Sequence, residues 1–222
     1  MKMAPEWHDR LRHWTAALEK DFYHPLGEIS FEGFCTRSHM TQEEALEHGG
    51  YAPVPEGTAW GNEWEYLWLK GEIVLPPEAE GKMIVLNLNP GGETTLFVNG
   101  ASFGTYRAGW VSVPHHFIED NILTENGKPG ETYLLQAEAY AGHFYPESTV
   151  AGCSTGPVIP GTYIDPLEGK LRAAMGENTF GIWNEEAYQL WMDVVTLTEV
   201  MSCLPESSLR AAKIGRALEK FT

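Results

Sequence analysis

The constraint that most limits this chain is a succession of short strand-like runs with no helical spacing between them. "WEYLWLKGEIVL", "KMIVLNLN", "ETTLFV", "ASFGTY" and "TYLLQAEAY" are rich in β-branched or aromatic residues and are separated by Gly, Pro or Asn. Within "LFVNGASF" the dipeptide Asn99-Gly100 is the one that a type I′ hairpin turn favours. Strands joined by tight turns pair antiparallel, and a set of them must bury one face against a second layer. Residues 27–140 are therefore expected to form an antiparallel β-sandwich of jelly-roll type. One interruption, "MTQEEALEH" at 40–48, has helical character before Gly49-Gly50.

Both ends of the chain read differently. Trp7, Leu11, Trp14 and Leu18 recur at helical spacing, which predicts an amphipathic N-terminal helix within residues 1–26, ended by "HPLG" at 24–27. Residues 141–183 contain seven glycines and four prolines and lack periodicity, so they read as a functional loop or a strap across the sandwich. From 184 to 222 helical spacing returns. "NEEAYQLWMDVVTLTEVMSCL" and "ESSLRAAKIGRALEKFT" form a helical hairpin, with Asn184 as N-cap and Glu185 and Glu186 in the first turn. Leu190, Trp191, Val194 and Leu197 on the first of these helices are expected to pack on the sandwich or on a domain outside this chain.

With 43% hydrophobic residues the chain can fill a core. Fifteen Lys and Arg against 31 Asp and Glu give a net charge of −16, which repels nucleic acid and anionic membrane. The N-terminus lacks the apolar run of a signal peptide, and no stretch has the roughly 20 apolar residues that a membrane span requires. A cytoplasmic protein is expected. Cys35, Cys153 and Cys203 are odd in number and widely spaced, so buried free thiols are expected rather than a disulfide framework.

Several residues invite a chemical reading. Trp60, Trp64, Tyr66 and Trp68 are all even-numbered, and on one strand their rings would share a face. A core role accounts for that row, with Trp60, at the "GTAWGN" turn, as the ring expected to be exposed and able to touch sugar. Glu63 and Glu65 would stand about 7 Å apart on such a strand, near the separation of glycosidase carboxylates. Catalytic pairs come from different elements around a pocket, so a solvated face explains these two better. His115, His116, Asp120 and His143 lack the HxxxH or HxH spacing of a metal site. No GxSxG, P-loop, Rossmann or HExxH pattern occurs.

The order of parts resembles the N-terminal region of glycoside hydrolase family 38, in its cytosolic and bacterial alpha-mannosidases. The elements that carry it are "GTAWGNEWEY", "ETTLFVNG" and the closing helical pair "NEEAYQLWMDVVTLTEV…SLRAAKIGRALEKF", and it spans essentially all 222 residues. The resemblance implies a non-catalytic domain preceding a catalytic one that holds a divalent metal, usually zinc, through a His-x-Asp motif, with an Asp nucleophile acting on terminal alpha-mannosides. No His-x-Asp occurs here, so no catalytic or metal position is assigned and no cofactor is expected in this chain. Its partner would be its own catalytic domain, with Trp60, His143, Tyr145, Tyr163 and Trp183 as candidates for an active-site rim or sugar contact. The alternatives are an independent module binding mannose-containing carbohydrate, and a structural domain that forms a homo-oligomer.

Overall fold

The computed structural model describes residues 5–62, 64–107, 118–142, 171, 173–205 and 207–221. It divides into two compact units, Pro25–Gly181 and a helical unit made of Met1–His24 with Ile182–Thr222. The strands are β1 (Tyr23–Glu28), β2 (Phe31–Thr36), β3 (Ala52–Pro53), β4 (Ala59–Trp60), β5 (Tyr66–Val74) and β6 (Ile84–Asn87). They continue as β7 (Glu93–Val98), β8 (Ala101–Arg107), β9 (Ile122–Thr124), β10 (Thr132–Tyr140), β11 (Ala173–Ala174) and β12 (Thr179–Trp183). The helices are α1 (Pro5–Glu19), α2 (Gln42–Glu47), α3 (Glu185–Cys203) and α4 (Leu209–Phe221).

The sandwich expected from the strand runs is present. Its larger sheet has the order β3-β2-β5-β10-β7-β8 and its smaller one β1-β12-β6-β9, with a two-stranded ribbon β11-β4. β5 and β10 pair antiparallel along their full length, from Tyr66 opposite Tyr140 to Val74 opposite Thr132. Alternation then sends Leu67, Leu69 and Ile73 of β5 and Leu135, Ala137 and Ala139 of β10 to one side, where all are buried. Burying each large side chain there contributes about 1.5–3 kcal/mol. Leu96 of β7 and Val85 and Leu86 of β6 are also fully buried, and the Tyr106 hydroxyl donates to the Leu86 carbonyl at 3.3 Å, joining the two sheets.

The hairpin between β7 and β8 turns at Asn99 and Gly100, with φ of 50° and 82°. Both lie in the left-handed region that a type I′ turn needs, which is why Asn-Gly occupies it. On the outer face of the larger sheet Phe34, Trp68 and Ala45 form a second cluster, with Ala45 brought by α2. That helix starts at a capping box: the Glu44 amide donates to the Thr41 hydroxyl at 3.2 Å and the Thr41 amide to Glu44 Oε2 at 2.7 Å.

In the helical unit Leu11, Val194, Ile214 and Leu218 form one core, with Leu197, Met201 and Phe221 packed on it. Here the structure departs from the sequence reading. Val194 and Leu197 are covered by α1 and α4, a pairing of chain ends that local spacing cannot reveal. Leu190 is 43% exposed, and Trp191 packs edge-on to Phe22 while its Nε1 donates to Glu19 at 3.0 Å. A second correction concerns "HPLG", which lies within β1 rather than ending the helix. α1 stops at Glu19, and β1 takes the edge of its sheet, where a strand tolerates Pro25.

Leu69 is fully enclosed between the sheets whereas Leu134 is 58% exposed. Leu69→Ala should lower the unfolding free energy by about 2–5 kcal/mol in urea denaturation, and Leu134→Ala should change it by no more than about 0.5 kcal/mol.

Candidate functional site

The aromatic row of residues 60–68 is not one strand. Between β4 and β5 the chain turns: the Asn62 amide donates to Glu65 Oε2 at 2.7 Å, the Glu65 amide returns to the Asn62 carbonyl at 3.2 Å, and Trp64 takes φ 61°. A left-handed Trp breaks the alternation, so the four rings go to different places. Trp60 is 2% exposed, its Nε1 donating to the Pro90 carbonyl at 2.8 Å. Its ring lies over Gly92, where an added Cβ would come within 3.2 Å of it. The expectation of an exposed Trp60 that contacts sugar is thereby corrected. Trp68 is buried with Phe34 and Ala45, while Trp64 and Tyr66 are partly exposed.

Tyr66 belongs to a hollow of about 550 Å³ on the outer face of the larger sheet, lined by Tyr66, Glu93, Thr95, Thr105, Glu138 and Tyr140, with Thr94 and Tyr106 beneath. Sheet register builds it in two rows. Tyr66, Tyr140 and Glu93 stand opposite one another across β5, β10 and β7, and Trp68, Glu138, Thr95 and Thr105 form the next row across to β8. Each row follows from alternation, because Leu67, Ala137, Ala139 and Leu96 face the core. The Tyr66 and Tyr140 rings are stacked at 5.0 Å, with Trp64 6.5 Å beyond Tyr140 and His39 5.1 Å from Tyr66. His39 Nε2 lies 3.5 Å from the Tyr66 hydroxyl.

Burial pushes the Glu138 carboxyl above the usual carboxylate range, and the nearby His39 opposes that in part. Burial likewise raises the Tyr66 phenol, and the Glu138 charge adds to it. The hollow therefore combines aromatic carbon, hydroxyls and a carboxylate in a half-buried setting. A second hollow of about 510 Å³ lies farther along the sheet beside Leu46 of α2 and Leu134, lined mainly by apolar surface.

The other candidates fare variously. Trp183 is 3% exposed and packed against Phe22 and Tyr188, which closes it to any ligand, and its Nε1 donates to Glu185 at 2.8 Å. Glu65 is occupied by the turn at Asn62, and Asp120 is exposed. Glu63, His115, His116, His143, Tyr145, Cys153 and Tyr163 lie outside the described residues. Tyr140 and Glu138 went unnoticed in the sequence, although the alternation Gln136, Glu138, Tyr140 against Leu135, Ala137, Ala139 marks them as one outward face.

The alpha-mannosidase jelly roll domain family, Ams1-like, matches residues 28–145. The chain belongs to this family. The match covers the larger sheet, β6 and β9 of the smaller one, and both rows of the outer-face hollow. Among solved structures the fold resembles β-glucuronidase from Ruminococcus gnavus. The form in complex with D-glucuronic acid is 16% identical with a TM-score of 0.41, and that in complex with uronic deoxynojirimycin 17% identical with a TM-score of 0.42. Each alignment covers 72% of this chain and 29% of the other, a likeness too distant to bear on function. No curated protein matches.

In this alpha-mannosidase jelly roll member, no group of three or more His, Cys, Asp or Glu among the described residues could hold a metal ion. No helix among them is long and apolar enough to cross a membrane.

Glu138 gives a testable consequence. Its raised pKa means that folding disfavours the ionised form, so the group's contribution to stability is complete below its unfolded value, about 4.3, and is lost as pH rises through the folded value. Glu138→Gln should match the parent in thermal melts near pH 4 and exceed it in Tm as pH rises to 7. A gap independent of pH would contradict this assignment.

Proposed function

We propose that this chain serves as a non-catalytic accessory domain of an alpha-mannosidase-like glycoside hydrolase acting on terminal alpha-mannosides. The observation that carries the reading is the family match over residues 28–145. Two features support it. Of the two carboxylates with a spacing near that of a glycosidase pair, Glu65 is engaged in holding the turn at Asn62. The sandwich also carries its own core, built on β5 and β10, as a domain that braces another must. The metal and the nucleophile would be supplied by polypeptide beyond the described residues. Cys35 and Cys203 are free thiols but exposed, not buried as the sequence suggests, and exposed free thiols suit a reducing, cytoplasmic setting.

The test has two arms. Assayed alone with Zn²⁺, Co²⁺ or Mn²⁺, the chain should not hydrolyse aryl alpha-mannosides above the uncatalysed rate. Joined to the catalytic portion of an alpha-mannosidase of this family, it should raise that portion's Tm by several degrees, as a ligand that binds only the folded form does. Turnover that persists through repurification would reject the non-catalytic role, and an unchanged Tm would reject the bracing role.

A further inference from the structure

We infer that the outer-face hollow around Tyr66, Tyr140 and Glu138 is a binding site for a neutral pyranoside. This site is independent of the bracing role, since it is built entirely from β5, β10, β7 and β8 of one sheet. A sugar ring offers two kinds of surface, hydroxyls around its rim and an apolar patch of C–H groups on its face. The hollow offers the complement of both. Tyr66 and Tyr140 supply ring carbon at one end, held by mutual stacking at 5.0 Å and flanked by His39 and Trp64. Because strand pairing and neighbouring rings fix them, little conformational entropy remains to be lost on binding.

Glu138 stands in the adjacent row, with Thr95 beside it on β7 and Thr105 beyond on β8. A carboxylate has two oxygens and accepts hydrogen bonds from adjacent hydroxyls, while each threonine hydroxyl can both donate and accept. Carboxylate and hydroxyls thus stand beside ring carbon in the lining of a hollow of about 550 Å³, within the roughly 300–1,000 Å³ of small-molecule sites. An anionic ligand is disfavoured, because Glu93 and Glu138 both line the hollow. A quaternary ammonium ion would use the rings and the charge but would leave the threonine hydroxyls without a role.

The intact chain would be titrated with methyl alpha-D-mannopyranoside, methyl beta-D-glucopyranoside, D-glucuronate and tetramethylammonium. Binding is read by calorimetry and by intrinsic tryptophan fluorescence, to which Trp64, 6.5 Å from Tyr140, contributes. At least one neutral glycoside should bind saturably in the millimolar range, with glucuronate and tetramethylammonium at least tenfold weaker. Tyr66→Ala combined with Tyr140→Ala should weaken binding tenfold or more. Glu138→Gln and Thr105→Val, which preserve shape, should each weaken it severalfold, so that the site stays testable if the double variant misfolds. Leu134→Ala, at the other hollow, should bind as the parent does.

The inference is overturned if no neutral glycoside binds up to 100-fold above the millimolar scale, about −4 kcal/mol. Tighter binding of glucuronate or tetramethylammonium, or glycoside binding that Glu138→Gln and Thr105→Val both leave unchanged, would overturn it too. None of these results touches the assays of the bracing role, which read turnover and the Tm of a different polypeptide.

Discussion

The pairing of β5 with β10 governs the rest of the sandwich. It runs unbroken from Tyr66 opposite Tyr140 to Val74 opposite Thr132, and its two strands occupy the middle of the six-stranded sheet. Because side chains alternate with a period of two, one register decision assigns every residue of both strands to a face. Leu67, Leu69, Ala137 and Ala139 go inward, and Tyr66, Trp68, Glu138 and Tyr140 go outward. A slip of one residue by β10 would bury Glu138 and expose Ala137, so the hydrophobic free energy of the core also fixes the composition of the outer hollow.

The outer face is treated differently at its two ends, and the sequence explains how. Over Trp68 and Phe34 the chain places α2, fixed by its capping box at Thr41 and by the Tyr51 hydroxyl donating to the Ala45 carbonyl at 3.0 Å. Beyond them the outward residues become Tyr66, Glu138, Thr95 and Thr105, side chains that keep polar atoms in contact with water. An apolar surface left bare would favour association, whereas these amphipathic residues make the same area stable without a cover.

Much of this fold can be read from the amino acids. The Asn99-Gly100 hairpin, the strand runs and the C-terminal helices stand where local chemistry puts them. What local chemistry hides is close approach. "FEGFCT" does not read as a strand because Gly33 weakens it, yet at Gly33 an added Cβ would lie 2.7 Å from the Trp68 carbonyl oxygen. The glycine that obscures β2 is the one that lets β2 lie against β5. "TFGIW" was similarly lost inside the Gly and Pro-rich stretch. At the other extreme, Trp60 and Trp183 are both buried, Trp60 over Gly92 and Trp183 against Phe22 and Tyr188.

The outward face was legible in part and for a definite reason. Tyr66 is visible in the aromatic row, and the parity of Glu138 and Tyr140 can be counted, but their juxtaposition depends on the register of two strands whose paired residues, Tyr66 and Tyr140, are 74 positions apart (140 − 66). No spacing rule reaches that far, since register is settled by what the core requires. The same logic separates the helical unit from its sequence reading. The stripe on α3 announced that Val194 and Leu197 need a cover. It could not announce that the cover is α1, from the opposite end of the chain. Patterns in sequence identify surfaces that must be satisfied, and the long-range pairing that satisfies them is where a site such as the Tyr66–Tyr140 hollow comes into being.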